Sequence, residues 1–136
     1  MRRMYRLTLF VSILLNIISC GSMTRSDSIS LQGVKWKLVR INGVSFQIKS
    51  QPTLRFKKKR AAGLAGCNHY FSPYRITAGG GIHFDSIAKT KMFCRNSEVR
   101  HIENQLLSGL RMAKSFKIKQ GELIIKSPSM VLHFKK

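Results

Sequence analysis

From residue 34 onward, apolar and polar side chains alternate with a period of two along most of the chain. In "VKWKLVRI", Val34, Trp36 and Leu38 fall on one face, with Lys35, Lys37 and Val39 on the other. That is a strand with one buried side. Asn42-Gly43 follows, the strongest short hairpin signal, and "VSFQI" is expected to run back beside the first strand. "TLRFK" places Leu54 and Phe56 together. "AAGLAGC" reads as a strand of small residues whose glycines permit a bulge or a close backbone approach. "FSPYRIT" and "GIHFDSI" flank Gly79-Gly80-Gly81 as a second hairpin, with Pro73 marking an edge or a bend.

The period then changes. Across residues 97–115, Val99, Ile102, Leu106, Leu110 and Ala113 recur at steps of three or four. This predicts an amphipathic helix. Asn96 or Ser97 can cap it, Glu98 suits its first turn, and Lys114 suits its end. "SFKIK", "ELIIKS" and "MVLHFK" return to alternation, joined at Gln120-Gly121 and Ser127-Pro128. Strands, one helix and a closing meander predict an α+β domain.

The first thirty residues follow neither pattern. "MRRMYR" is basic, and residues 7–18 are apolar apart from Thr8, Ser12 and Asn16. The run is shorter than the ~20 residues a membrane-spanning helix needs. It matches the apolar core of a secretory signal. It ends in "IISCGS", which resembles the bacterial lipobox. The implied processing is cleavage after Ser19 and lipid attachment to Cys20. Gly21 at the next position favours the outer membrane, by resemblance to the sorting rule of enteric bacteria. Residues 20–30 are polar and Ser-rich, a flexible tether spanning about 16–19 Å. The folded domain is expected over residues 31–136.

The 136 residues carry 25 Lys and Arg against five acids, for a net +20. Loss of Arg2, Arg3 and Arg6 with the signal leaves +17 on the side chains. Such a charge attracts anionic surfaces. The densest run is "RFKKKR", with Arg55, Lys57, Lys58, Lys59 and Arg60. Read functionally, it docks on the membrane that carries the anchor, or on an acidic partner. Read blandly, it is a solvated hairpin tip in a generally basic proteome. Nucleic acid suits the charge but not the export signal.

Three cysteines are present, and acylation would remove Cys20 from thiol chemistry. Cys67 and Cys94 then form an even pair in an oxidising compartment, where disulfides persist. Other chemistries remain open at this point. Cys67-x-His69 offers a nucleophile and a base, with no acid nearby to orient the imidazole. Cys67, His69 and Cys94, with His83 or His101, could ligate zinc, but without the paired short spacings of structural sites. The two thiols could also be free and buried. Asn68 suits the turn after Cys67. Tyr70, Phe71 and Tyr74 read as core.

Taken in order, these stretches resemble the META domain, the module of HslJ-like heat-shock lipoproteins. Gly33 and Trp36 match its opening strand. Gly66, Cys67, Asn68, Tyr70 and Tyr74 match its Gly-Cys-Asn motif, and Thr90, Met92 and Cys94 its Thr-x-Met-x-Cys motif. The resemblance implies a small, strongly bent, mostly antiparallel sheet of about six to eight short strands with one helix packed on it. It also implies an envelope setting and an association with heat shock. It carries no catalytic residue, cofactor, metal or small-molecule substrate. The function expected is therefore non-enzymatic: a lipid-anchored envelope protein whose basic face meets anionic lipid or an acidic partner. The alternative is a binding module for a soluble acidic protein, as an inhibitor or a host-contact adaptor.

Overall fold

The computed structural model describes residues 31–136. The signal, Cys20 and the tether lie outside the described residues. The opening strand, β1 (Lys35–Ile41), pairs on both of its sides. One side holds β2 (Val44–Ser45) and β3 (Thr53–Phe56), and the other holds β10 (Val131–Lys135). Between them run β4 (Arg60–Leu64), β5 (His69–Thr77), β6 (Gly81–Phe84), β7 (Ala88–Lys89), β8 (Ser115–Lys119) and β9 (Glu122–Lys126). The order β1-β3-β4-β5-β6-β8-β9-β10 returns to β1, so eight antiparallel strands close a ring. Closure removes the exposed edges that an open sheet must protect. The narrowest seam is between β6 and β8. It holds the pair Gly81–Ser115, with Ile82 N–H donating to Lys114 O (3.1 Å) and Phe116 N–H to Gly80 O (2.8 Å).

The fold is the expected α+β arrangement, with ten strands rather than six to eight. The excess is the two-residue strands β2 and β7, which have little alternation to display. The expected return strand "VSFQI" is cut to Val44–Ser45. Phe46 and Ile48 turn inward against the core instead. The main chain of β1 finds other partners: Leu38 N–H donates to Pro52 O (2.9 Å), and Gln51 Nε2 donates to Leu38 O. Asn42-Gly43 and Gln120-Gly121 do make the tight turns, with φ of 51°, 81°, 51° and 75° in order. Two successive left-handed residues are what a type I′ hairpin needs.

Alternation fills the ring. Trp36 and Leu38, Leu54 and Phe56, Phe84, Leu123, Leu132 and Phe134 are all buried in one cluster. Each such Leu or Phe contributes roughly 1.5–3 kcal/mol by leaving water. The helix α1 (Ser97–Arg111) adds Ile102, Leu106, Leu107 and Leu110 to the same core. Its cap is Asn96, whose side chain accepts from Val99 N–H (3.1 Å). Its last turn carries Arg111; Lys114 lies beyond it in the link to β8. At Gly109 a Cβ would sit 2.9 Å from Met130 Sδ and 3.0 Å from Leu132 Cδ1, so glycine lets the helix press onto β10. Among the described residues no helix is long and apolar enough to cross a membrane.

Candidate functional site

The connection from β4 to β5 is the turn 65–68. Gly66 has φ of 154°, and a Cβ there would meet Val99 Cγ1 at 3.0 Å and Val99 O at 3.2 Å. Glycine is therefore needed both for the bend and for contact with α1. Next to it, Cys67 and Cys94 are joined in a disulfide, Cα to Cα 6.0 Å, across 27 residues. In this form Cys67 has no thiolate to offer His69.

Asn68 is almost wholly buried, and it straps the segment 90–94 to the turn. Its Oδ1 accepts from Thr90 Oγ1–H (2.8 Å) and Met92 N–H (2.7 Å). Its Nδ2 donates to Met92 O (3.4 Å) and to Glu103 Oε1 (2.8 Å). Thr90 Oγ1 also accepts from His69 N–H (3.1 Å). The matching positions Thr90, Met92 and Cys94 thus act through a hydroxyl, a main chain and a sulfur. The Met92 thioether itself is exposed.

The centre of this corner is Glu103, only 2% exposed. Its carboxylate accepts from Asn68 N–H (2.9 Å), Cys67 N–H (3.2 Å) and Lys89 Nζ (2.9 Å) as well as Asn68 Nδ2. Burial pushes its carboxyl up, but these donors outweigh it and hold it below the usual carboxylate value. Neither Glu103 nor Lys89 stands out in a motif. The available signal is an acid on the apolar stripe of α1, between Val99 and Leu106. Cys67, Cys94 and Glu103 are also the one grouping among the described residues that could hold a metal, with ligand atoms within 4.8 Å. Its two sulfurs are bonded to each other, and His69, His83 and His101 lie outside it.

The motif's tyrosines reach the other way, to β3. Tyr70 donates its hydroxyl to Thr53 O (2.8 Å), and burial pushes its phenol well up. Gly63 makes room: a Cβ there would lie 1.9 Å from Thr53 O. Tyr74 donates to Lys57 O (2.9 Å) and packs edge-on against Phe56, ring centres 5.0 Å apart. Phe71 departs from the expected core placement. It alternates outward on β5, 46% exposed, with the Arg60 guanidinium 5.1 Å over its ring. Trp36 is fully buried, and its indole N–H has no partner among the described residues. Gly33 supplies a φ of 80° just before β1.

Tyr74 therefore fixes the root of the β3–β4 hairpin, which Lys57 N–H to Arg60 O (2.8 Å) closes. Arg55, Lys57, Lys58, Lys59 and Arg60 are all exposed on it. The described carboxylates are occupied elsewhere. Asp85 pairs with Arg75, Glu122 with Arg40 and Glu103 with Lys89, while Glu98 lies in the first turn of α1. Among the described residues none is paired with the hairpin's cations.

A closed antiparallel ring with one packed helix, stapled at one corner and strongly basic at another, defines a small α+β domain built from Gly-Cys-Asn and Thr-x-Met-x-Cys segments. The chain belongs to the META domain family, whose model matches residues 29–136. No curated protein matches it. Among solved structures it is similar to a protein from Burkholderia xenovorans studied by NMR, with 20% identity, 77% of this chain and 82% of that one covered, and a TM-score of 0.62. A second NMR structure is 22% identical, covering 77% and 90%, with a TM-score of 0.65. A DUF4847 family protein from Bacteroides vulgatus ATCC 8482 is 10% identical, covering 79% and 95%, with a TM-score of 0.57. These likenesses show a shared fold.

Proposed function

We propose that this META-type protein is a non-enzymatic, lipid-anchored component of the bacterial cell envelope, held at the outer membrane through Cys20. Its basic face rests on anionic lipid. The observation that carries the reading is the β3–β4 hairpin, five exposed cations that the described carboxylates leave unneutralised. Basic residues near an anionic surface contribute about 1 kcal/mol each. One acyl signal plus a polybasic patch is a combination that gives stable attachment. The tether of residues 20–30 would keep the ring within reach of the head groups. The association with heat shock follows from the resemblance alone.

Vesicle sedimentation tests this with residues 20–136 carrying Cys20→Ser, which cannot be acylated. The chain is expected to bind phosphatidylglycerol-containing vesicles and to release them as salt rises, because screening shortens the reach of exposed charge. Equal, salt-insensitive binding to neutral and anionic vesicles would defeat the docking claim.

A further inference from the structure

A groove of about 890 Å³ lies on the outer wall of the ring, lined from β1, β3, β4, β5 and β7. That falls within the range of roughly 300–1,000 Å³ typical of small-ligand sites. Cross-strand register explains its composition. Lys35 stands opposite Arg55, Arg55 opposite Ala62, and Ala62 opposite Phe71. One row of outward side chains thus runs from two cations, over a small residue, to an exposed aromatic ring.

The rim is cationic, with Lys35, Arg55, Lys57 and Arg60, and His69 beside them; Lys89 also lines it, but its ammonium is bound to Glu103 (2.9 Å). No carboxylate lines the groove. Like charges directly opposite on neighbouring strands destabilise a sheet. Lys35 and Arg55 are such a pair, and an anion between them would relieve it. Arginine is suited to phosphate because its planar fork donates two parallel hydrogen bonds. The floor is different in kind. Ala62 and Gly63 leave a depression, and Leu64 and Phe71 flank it with apolar surface. A site made only for a free anion has no use for this floor. His69, which has no part in a Cys-His pair, has its place here.

Resting on the envelope reading above, we infer that the groove seats one anionic phospholipid molecule. Its phosphate lies against Lys35, Arg55 and Arg60, and the start of an acyl chain lies on Ala62, Leu64 and Phe71. The recognition is molecular, whereas the hairpin's attraction to a surface is collective. Lys58 and Lys59 belong to the hairpin but not to the groove lining, which separates the two experimentally.

The test is calorimetric titration of residues 20–136, with Cys20→Ser, using dihexanoyl phosphatidylglycerol below its micelle concentration. Saturable binding of one lipid per chain is expected. Ala62→Leu fills the floor without altering charge and should weaken it at least tenfold, leaving vesicle sedimentation unchanged. Lys35→Gln with Arg55→Gln should abolish it and covers the case in which Ala62→Leu disturbs the strand. Lys58→Gln with Lys59→Gln should leave it intact while vesicle sedimentation falls. Absence of saturable monomer binding in a chain that still sediments with anionic vesicles would overturn the groove and spare the docking reading. Equal affinity for dihexanoyl phosphatidylcholine, or for inorganic phosphate, would also overturn it. Loss of both monomer and vesicle binding would remove the two together.

Discussion

The strand β4 has a connection at each end, and the two treat charge in opposite ways. At its C-terminal end, the turn 65–68 gives one buried carboxylate three donors, from Cys67 and Asn68, and Lys89 of β7 adds a fourth. At its N-terminal end, the hairpin leaves a run of cations in solvent without a matching acid. A buried ion is tolerable only when its hydrogen-bonding capacity is met. An exposed ion is hydrated and contributes little to folding. The contrast assigns the first end to holding the fold and leaves the second free to meet something outside it. Tyr70 and Tyr74 join the two ends, since both follow the buried turn on β5, Tyr70 donating to Thr53 O of β3 and Tyr74 to Lys57 O at the root of the hairpin.

The comparison breaks most severely at Glu103. Glu103→Ala leaves the buried N–H of Asn68 and the partly buried N–H of Cys67 without their acceptor and Lys89 without its partner. A loss of roughly 3–5 kcal/mol is expected in urea unfolding, at about 1–3 kcal/mol for each inward-facing donor left unsatisfied. The disulfide comes next. Replacing Cys67 and Cys94 together by alanine should lower stability by about 3–4 kcal/mol, the chain-entropy value for a loop of this size. Mass spectrometry of the unreduced protein should show the two residues linked.

Gly66→Ala should cost roughly 1–3 kcal/mol, since it adds a side chain to a strained backbone that touches Val99. A pH series sharpens the same contrast. The Glu103 carboxyl is held below its ordinary value, so its contribution is complete above the usual carboxylate range. It is lost as pH falls through the folded value. Thermal melts of the unaltered chain should therefore lose stability in acid, and Glu103→Gln should show a shallower loss. At the other end of β4, Lys58→Gln with Lys59→Gln should change stability by less than about 0.5 kcal/mol. A comparable acid sensitivity in Glu103→Gln would show that Glu103 is not the group responsible.

Much of the ring was legible because alternation is local. Trp36, Leu38, Leu54, Phe56 and Phe84 declare their faces within a few neighbours. Closure was not, because β1 and β10 pair across nearly the whole domain and nothing near residue 38 names residue 134 as its neighbour. The short return at Val44–Ser45 was hidden for a similar reason: Pro52 and Gln51 compete for the same main chain. Phe71 looked like core by type, yet its place between inward Tyr70 and Ser72 turns it outward. The corner was half visible. The Gly-Cys-Asn stretch announces its cysteine, while the charge it serves belongs to an acid with no motif of its own, on a helix 35 residues beyond Asn68.

The division between the two ends is tested most directly by sedimentation of the Lys58→Gln/Lys59→Gln chain with phosphatidylglycerol vesicles at low salt. Its melting temperature should match that of the unaltered chain. Its affinity should fall by about 2 kcal/mol, roughly thirtyfold, at ~1 kcal/mol for each basic residue near the surface. Undiminished binding by a chain of unchanged stability would contradict the account, because the hairpin's free charges would then be serving no membrane.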